Sequence, residues 1–463
     1  MKIKQLYEKC LSQASYYIEH NGEAVVIDPL RDVNAYIELA ERDLAKITYI
    51  FETHFHADFV SGHLELAART GATIVMGPGA ETAFPSHQAR DGEKFRIGGA
   101  TLELLHTPGH TLESSCFLLR DENGLENAVF TGDTLFLGDV GRPDLAQSPD
   151  KNISQEDLAG MLYDSLRAKI LPLPDHTIIY PGHGAGSACG KNMSKETVGD
   201  LGSQKMTNYA LAEDLSRENF IAELCNNLAA PPAYFPMNVD MNVKGYRLLD
   251  EVLNEGMKPL SPLVFKKRMR TPGTLILDTR KPDVFATGHI AGSINIGLDG
   301  SFAPWVGALI PIKQESILIV AEQGRETEVI RRLARIGYHQ CDGYLSGGIS
   351  EWKALGEPVE SVESISAAAF QSLLSDHKHG VIDVRAGSEY HQGNVPEALH
   401  IPLDQSVYTD NRIDNNKDYL VYCAGGYRSM IFISLLKAKG FNKLINIEGG
   451  YNAIRLAAEN SHQ

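Results

Sequence analysis

The chain has 463 residues, more than one ordinary hydrophobic core organises, so its length predicts two to four domains. A formal net charge of −16, from 43 Lys and Arg against 59 Asp and Glu, argues against nucleic acid or an anionic membrane surface as a partner. The N-terminus lacks the apolar core of a signal peptide, and no later segment offers the roughly twenty apolar residues of a membrane span, which predicts a cytoplasmic protein. Six cysteines without a CxxC pair fit reduced thiols better than a disulfide framework.

Short strand patterns recur through the first 245 or so residues. In chain order they are EAVVID, KITYIFE, ATIVMG, ATLELLHT, NAVFTGD and TIIYPGH, and several end in a His or an Asp followed by loop residues. Side chains at strand ends are held by a rigid scaffold yet stay accessible, so a metal site is easily built there. We predict that residues 1–250 form the first domain.

Histidines and acidic residues at these strand ends form a joint pattern. The candidate ligands are His54 and His56 in THFHADFVSGH, His110 in HTPGHT, Asp133 in FTGDTLF and His183 in YPGHG. Any one of them alone would be read as a structural residue, because His and Asp often hydrogen-bond at turns. The succession HxHxD, PGH, GD and PGH, each at a strand end, favours a metal centre.

These motifs resemble the metallo-β-lactamase superfamily. The resemblance covers roughly residues 1–245 and implies an αβ/βα sandwich with metal between its two sheets. Dinuclear hydrolases of that superfamily, such as glyoxalase II, place a histidine for the second metal directly after the aspartate of HxHxD. This chain has Phe59 there, after Asp58, and an aromatic ring cannot ligate a metal. A second metal would keep at most Asp58, His183 and a shared Asp133.

The segment TGDTLFLGDVGRPDL is similar to the persulfide dioxygenase branch of that superfamily. This resemblance implies one Fe(II) per chain, held by His54, His110 and Asp133, with His56 as a neighbour and not a ligand. Two imidazoles and one carboxylate make the facial triad of non-haem Fe(II) oxygenases, which leaves positions for substrate and O₂. Zinc would more readily take His56 as a fourth ligand. The residue types alone leave the metal open, and the loss of a ligand at Phe59 favours mononuclear iron.

Three other residues belong to the candidate site. Arg142 and Asp144 in GRPD can pair to brace the metal loop or can contact an anionic substrate, and we favour bracing. Cys189, which follows the last PGH motif, has two open interpretations. It either approaches the metal pocket and carries a persulfide, or it is a small buried thiol.

Two stretches in the C-terminal half resemble each other. GTLILDTRKPDVFATGHIAGSINI begins at Gly273 and GVIDVRAGSEYHQGNVPEALHIPL begins at Gly380. A period of about 100 residues is the size of a domain, so the pattern indicates a tandem duplication. Each copy alternates β-branched runs with helical patterns, which predicts a parallel sheet flanked by helices. We predict domains over 258–358 and 360–463.

The last repeat carries a cysteine loop between a strand pattern and a helix pattern. Its residues are Cys423, Ala424, Gly425, Gly426, Tyr427, Arg428 and Ser429. Successive backbone N–H groups and a helix N-terminus stabilise a thiolate and its persulfide, and Arg428 can engage an anionic acceptor. The CxxGxRS pattern, with DVR near the domain start, resembles the rhodanese family of sulfurtransferases. The resemblance implies sulfur transfer through Cys423.

The middle repeat reads VAEQGRET where the cysteine loop should be. Sequence matching places Glu322 at the cysteine position, and a carboxylate cannot hold sulfane sulfur. We therefore predict a rhodanese-like domain without activity.

Taken together, the resemblances imply a dioxygenase coupled to a sulfurtransferase. The first domain would oxidise a small thiol persulfide, such as glutathione persulfide, with O₂ to sulfite, and the last would link persulfide, sulfite and thiosulfate in either direction. Two alternatives stay open: a dinuclear zinc thioester hydrolase of the glyoxalase II type with accessory rhodanese domains, and a non-catalytic sulfur-relay or persulfide-sensing protein. General grounds predict an even-numbered homo-oligomer.

Overall fold

The structure is a computed structural model that describes residues 1–146, 153–375, 378–403 and 411–460. It divides into an N-terminal unit, Met1–Asp250 with Ala334–Gly337, and a C-terminal unit, Glu251–Leu333 with Tyr338–Gln463. Among the described helices, none combines the length and the apolar character needed to cross a bilayer.

The N-terminal unit contains twelve described strands and six described α-helices, and a seventh α-helix, Leu249–Gly256, begins in this unit and continues into the C-terminal unit. Strands β1 to β6 are Lys2–Glu8, Gln13–His20, Glu23–Ile27, Lys46–Phe51, Thr73–Met76 and His87–Gln88. Strands β7 to β12 are Lys94–Ile97, Ala100–His106, Ser115–Arg120, Glu126–Gly132, Ile178–Pro181 and Gly199–Asp200. Helices α1 to α7 are Asn34–Arg42, His63–Thr70, Gln155–Ser165, Leu201–Thr207, Arg217–Cys225, Phe235–Lys244 and Leu249–Gly256.

These strands form two six-stranded sheets, in the orders β1-β2-β3-β4-β5-β6 and β12-β11-β10-β9-β8-β7. Apolar side chains from both sheets, among them Phe51, Phe117 and Phe130, share one buried core between them. Separate apolar clusters join the first sheet to α1 and α2 and the second sheet to α3 and α5. The arrangement is the predicted αβ/βα sandwich, and hydrophobic burial on both faces of each sheet stabilises it.

The predicted metal-binding motifs follow four of these strands. The HADF segment follows β4, and His110 lies in the turn between β8 and β9. Asp133 and His183 follow β10 and β11, which are parallel neighbours. Because parallel strands end at the same sheet edge, Asp133 and His183 emerge side by side.

The C-terminal unit holds two five-stranded parallel sheets. Strands β13 to β22 are Pro259–Leu260, Thr274–Asp278, Ile294–Asn295, Ser316–Val320, Cys341–Leu345, Glu363–Ile365, Gly380–Asp383, Leu399–His400, Tyr419–Tyr422 and Leu444–Ile447. Helices α8 to α16 are Pro262–Arg268, Pro282–Thr287, Phe302–Leu309, Glu326–Arg335, Gly348–Ala354, Ala367–Ser375, Gly387–His391, Tyr427–Ala438 and Gly450–Asn460. The strand orders, β13-β17-β16-β14-β15 and β18-β22-β21-β19-β20, are equivalent, and the predicted fold class is confirmed.

Strand register corrects one sequence assignment. Asp278 pairs with Val320, and the equivalent Asp383 pairs with Tyr422. The residue after Val320 is Ala321, so Ala321 and not Glu322 occupies the position of Cys423. The middle loop is shorter, which shifted the sequence match by one residue. The middle repeat still lacks a thiol at this position.

Candidate functional site

Three donor atoms converge in the N-terminal unit. Asp133 Oδ2 lies 3.5 Å from His110 Nε2 and 3.9 Å from His54 Nε2, and all three side chains are buried. Among the described residues, Asp133 Oδ2 has no hydrogen-bond partner. A buried carboxylate oxygen without a donor is costly unless a cation faces it. The three residues therefore fit a metal ion with two imidazole nitrogens and one carboxylate oxygen as ligands.

Hydrogen bonds to the far side of each ring direct the Nε2 lone pairs inward. His110 Nδ1 donates to the Arg142 carbonyl oxygen at 2.8 Å. His54 Nδ1 lies 3.0 Å from Thr53 Oγ1, whose hydroxyl donates to Asp28 Oδ2 at 2.8 Å, so His54 Nδ1 is the donor in this chain. Partners of this kind fix the tautomer of a metal-binding histidine. No sequence motif singles out Thr53 or Asp28, although each lies at the end of a predicted strand.

The protonation states of these groups also suit a metal. Burial lowers the pKa of His54 well below its usual value, so its imidazole is neutral. Burial opposes ionisation of Asp133, but the neighbouring His183 and the hydrogen bond from it hold the pKa of the carboxyl far below its usual range. Neutral imidazole and ionised carboxylate are the forms that ligate metals.

His56 lies outside this convergence. Its Nε2 is 3.1 Å from Asp28 Oδ1 and 3.3 Å from Glu52 Oε2. Burial opposes the imidazolium, but the carboxylate of Asp28 and then that of Glu52 raise the pKa of His56 above its usual value. The ring of Phe59 packs against His56 with centroids 4.4 Å apart. The structure therefore places His56 among carboxylates, where Asp28, Glu52 and His56 form a separate buried group of potential ligands.

Asp58, His183 and Cys189 form a second buried cluster of potential ligands. Both ring nitrogens of His183 already bond carboxylates, Nδ1 to Asp133 Oδ1 at 2.7 Å and Nε2 to Asp58 Oδ2 at 2.8 Å. A Cβ on Gly182 would approach Asp133 Oδ1 to 2.6 Å, which explains the glycine of this PGH motif. His183 thus bridges the two aspartates, and Asp58 Oδ1 is, like Asp133 Oδ2, a buried carboxylate oxygen without a hydrogen-bond partner among the described residues.

Cys189 is the buried thiol of this cluster. Burial, and then the negative charges of Asp133 and Asp58, raise the pKa of its thiol well above the usual value. The structure thus places Cys189 near the metal pocket as a protonated thiol. Both interpretations of Cys189 from the sequence are compatible with this position.

Arg142 and Asp144 form a bidentate ion pair, with Nε–Oδ1 and Nη2–Oδ2 distances of 2.6 and 2.7 Å. Arg142 Nη1 also donates to the Ala188 carbonyl oxygen at 3.1 Å, and the Arg142 N–H donates to the Cys189 carbonyl oxygen at 3.0 Å. Because the Arg142 carbonyl accepts from His110, these bonds tie the segment around Cys189 to a candidate ligand. This geometry favours the bracing role.

Two asparagines of α6 hold the HADF loop, residues 56–59, and no sequence motif singles out either of them. Asn242 Nδ2 donates to the carbonyl oxygens of His56 at 2.8 Å and Phe59 at 2.9 Å, and its Oδ1 accepts from the Ser61 N–H at 3.0 Å. Asn238 Nδ2 donates to the Ala57 carbonyl oxygen at 3.0 Å. These amides satisfy buried loop carbonyls that no secondary structure pairs.

The cysteine loop of the last repeat has the predicted strand–loop–helix setting. Cys423 follows β21, and its Sγ accepts from the Gly426 N–H at 3.0 Å. Helix α15 begins at Tyr427 and directs the positive end of its dipole at the loop. Arg428 Nη1 and Nη2 donate to the Glu389 carboxylate at 2.6 and 2.7 Å, so part of this guanidinium is already engaged.

Comparison with known families finds matches in three parts of the chain. Residues 9–183 match the metallo-beta-lactamase superfamily, and residues 261–355 and 366–457 each match the rhodanese-like domain.

Individual relatives cover parts of the chain. A probable hydroxyacylglutathione hydrolase of Schizosaccharomyces pombe is 36% identical over 169 residues, which span 36% of this chain and 60% of that protein. The mitochondrial persulfide dioxygenase ETHE1 of Mus musculus is 28% identical over 257 residues, 52% of this chain and 85% of the relative. The crystal structure of a metallo-beta-lactamase from Staphylococcus aureus subsp. aureus COL is 34% identical, covers 74% of this chain and 99% of its own, and superposes with a TM-score of 0.66.

The hydroxyl of Thr53 gives a test of the metal centre. Thr53→Val removes the link between His54 Nδ1 and Asp28 with little change in side-chain size, and we expect metal affinity to fall about 10- to 100-fold. A competition titration with a chelator measures this. Thr177→Val is the matched control, because Thr177 is buried and its hydroxyl has no hydrogen-bond partner among the described residues. Equal affinities of Thr53→Val and wild type would contradict the assigned tautomer.

The hydrogen bonds from Asn242 to the HADF loop give a second test. Asn242→Ala removes three hydrogen bonds from the HADF loop, and we expect about 2–4 kcal/mol of destabilisation. Calorimetry should show a lower unfolding temperature of the N-terminal unit, and hydrogen exchange should accelerate in residues 53–63. Asp240→Ala on the same helix, whose side chain is 56% exposed, should change neither. Unchanged hydrogen exchange of residues 53–63 in Asn242→Ala would show that Asn242 does not hold the loop.

Proposed function

Because the chain belongs to the metallo-β-lactamase superfamily and carries two rhodanese-like domains, we propose that it is a persulfide dioxygenase with sulfurtransferase activity. The N-terminal domain, residues 1–250, would convert a low-molecular-weight thiol persulfide, such as glutathione persulfide, with O₂ and water to sulfite and the free thiol. The proposal includes one Fe(II) per chain, a cytoplasmic location, a homo-oligomeric assembly and the domain limits 258–358 and 360–463.

The observation that carries the proposal is the one-metal donor set. Asp133 Oδ2 faces the Nε2 atoms of His54 and His110, while His183 is bonded on both ring nitrogens. Phe59 supplies no ligand where the dinuclear hydrolases have a histidine. The likeness to the mouse persulfide dioxygenase supports this choice. The likeness to a hydroxyacylglutathione hydrolase keeps the two-zinc hydrolase as the rival.

Residues of this chain would hold the reacting groups in place and shield them from water. His54, His110 and Asp133 would hold the iron, which when bound supplies adjacent positions for a persulfide sulfur and O₂. The bonds of His54 to Thr53 and of His110 to the Arg142 carbonyl keep both rings in one orientation. Burial of all three ligands limits the access of water to the site.

Cys423 would carry sulfur in the last domain. Its thiolate attacks the outer sulfur of a persulfide, forms a new S–S bond, and the organic thiolate leaves with the bonding electrons. Sulfite then attacks the outer sulfur on Cys423, which produces thiosulfate and returns the thiolate. The Gly426 N–H and the N-terminus of α15 stabilise negative charge on Cys423 in both directions of this exchange.

The iron site is tested by His54→Ala. Removal of one of three ligands should abolish O₂ uptake with glutathione persulfide, which an oxygen electrode measures on anaerobically iron-loaded protein. His87→Ala, at an exposed histidine, should retain wild-type uptake. Wild-type uptake by His54→Ala would refute the ligand assignment, and thioester cleavage by a protein holding two zinc ions would favour the rival.

The sulfur-transfer step is tested by Cys423→Ser. This variant should keep most of the O₂ uptake and lose thiosulfate formation, because serine cannot form a persulfide. Cys225→Ser, at a half-buried cysteine of the N-terminal unit, is the control and should transfer sulfur normally. Full thiosulfate formation by the Cys189→Ser/Cys423→Ser double variant, above the rate without protein, would overturn the assignment.

A further inference from the structure

A four-residue turn of the middle repeat belongs to the N-terminal unit. Helix α11 ends at Arg335, and the segment Ala334–Gly337, here called the ARIG turn, groups with Met1–Asp250. All of its residues except Arg335 are buried. The equivalent turn of the last repeat, KAKG at residues 437–440, lies at the same point of α15, and its last three residues are exposed. One element of the duplicated fold therefore has opposite surroundings in its two copies.

The last two carbonyl groups of α11 accept hydrogen bonds from residues of the first domain. The final carbonyl groups of a helix have no donor within the helix, so other groups must supply one. Arg31 Nη1 donates to the Ala334 carbonyl oxygen at 2.7 Å, and the Val60 N–H donates to the Arg335 carbonyl oxygen at 2.7 Å. Arg31 is fully buried, and its positive charge also suits the negative end of the helix dipole. Because Val60 directly follows Phe59, the ARIG turn is bonded to the end of the HADF loop.

Gly337, the last residue of the turn, packs against α6, the helix that holds the HADF loop. It has a left-handed φ of +82°, and a Cβ there would lie 2.8 Å from Met237 Cε and 2.9 Å from Asn238 Oδ1. The Asn238 amide donates to the Ala57 carbonyl oxygen at 3.0 Å, so moving its oxygen aside would disturb that bond. Gly440 of the last repeat has a similar φ of +91°. Apart from its chain neighbours, no heavy atom of a described residue lies within 4 Å of a Cβ placed there.

Packed rings connect the end of the HADF loop to the candidate ligand His54. Phe59, next to Val60, packs on the His56 ring with centroids 4.4 Å apart. The His56 ring packs in turn on the His54 ring, with centroids 4.2 Å apart. Because a close-packed interior transmits strain, a shift of Val60 reaches His54 through these two contacts.

We propose that the ARIG turn positions the N-terminal metal site, and that the middle repeat, which lacks a thiol in its loop, supplies this turn. The turn holds the end of the HADF loop and one side of α6, and so keeps His54 Nε2 opposite Asp133. It acts through Val60 and Asn238, so its residues are positioning residues and not ligands. The inference deepens the proposed function and rests on the metal centre assigned there.

The test compares the equivalent glycines of the two repeats. Gly337→Ala adds the Cβ that meets Asn238, whereas Gly440→Ala adds a Cβ without such a contact. Both substitutions place a side chain at a left-handed φ, so the pair separates the contact with α6 from backbone strain. Full-length, metal-free proteins are titrated with Co(II), whose visible absorption reports the geometry of its ligands. Competition with a chelator gives the Co(II) affinity, and hydrogen exchange of residues 53–63 gives the mobility of the loop.

We expect Gly337→Ala to lower the Co(II) affinity at least fivefold, to change the position or intensity of the visible Co(II) bands, and to accelerate exchange of residues 53–63 at least fivefold. Gly440→Ala should match the wild type in all three measurements. The Co(II) bands distinguish positioning from a loss of stability, because a protein that is only less stable binds less metal in an unchanged geometry.

Arg31→Lys is a milder second variant. The Arg31 guanidinium donates to the carbonyl oxygens of Ala334 and Arg247 through separate nitrogens, and the single ammonium group of lysine does not reproduce that geometry. We expect exchange of residues 53–63 to accelerate at least twofold. Arg69→Lys, at an exposed arginine, is the control and should leave the exchange unchanged.

Equal Co(II) spectra, affinities and exchange rates in Gly337→Ala and Gly440→Ala would overturn the proposal. Faster exchange with an unchanged Co(II) spectrum would also overturn it, because the turn would then only stabilise the loop. If Gly337→Ala does not fold, wild-type exchange in Arg31→Lys overturns the proposal. If wild-type protein binds no Co(II), the metal centre of the proposed function fails. Exchange then still decides whether the turn holds the loop, since equal rates in the two glycine variants refute that link and faster exchange in Gly337→Ala alone supports it.

Discussion

The two oxygens of the buried Asp133 carboxylate have different surroundings, and the N-terminal site is organised around that difference. Oδ1 accepts a hydrogen bond from His183, while Oδ2 faces the Nε2 atoms of His54 and His110 without a hydrogen-bond partner among the described residues. A buried carboxylate oxygen that is left without a donor costs about 1–3 kcal/mol. A metal ion facing Oδ2 would remove that cost, and the hydrogen bond from His183 holds the other oxygen in place.

The proposed function uses one metal centre, and the contacts of the surrounding residues support that choice. His56 is drawn toward Asp28 and Glu52, and Phe59 packs on its ring. The two ring nitrogens of His183 are hydrogen-bonded to Asp133 and Asp58. The phenylalanine after HxHxD is thus a packed, buried component of the site, and it stands where a ligand of the dinuclear hydrolases would be.

Much of the architecture could be predicted from short motifs. Strand patterns that end in His or Asp marked the sheet edge of the sandwich, and both family resemblances are confirmed. The roles of Thr53, Asp28 and Asn242 could not be predicted from the sequence. Each is a single polar residue whose hydrogen-bond partners depend on how the chain folds. The position of Ala321 likewise depends on strand register, which a shortened loop conceals in the sequence. The assignment of the metal ligands stays a prediction.

The central claim is tested most directly by titrating iron into metal-free protein. O₂ consumption and sulfite formation are measured at each step with glutathione persulfide as the substrate. The one-iron account predicts that both rates rise linearly with added Fe(II) and level off at one iron per chain. Rates that rise until two metal ions are bound would contradict the account. So would the absence of O₂ consumption at every iron content.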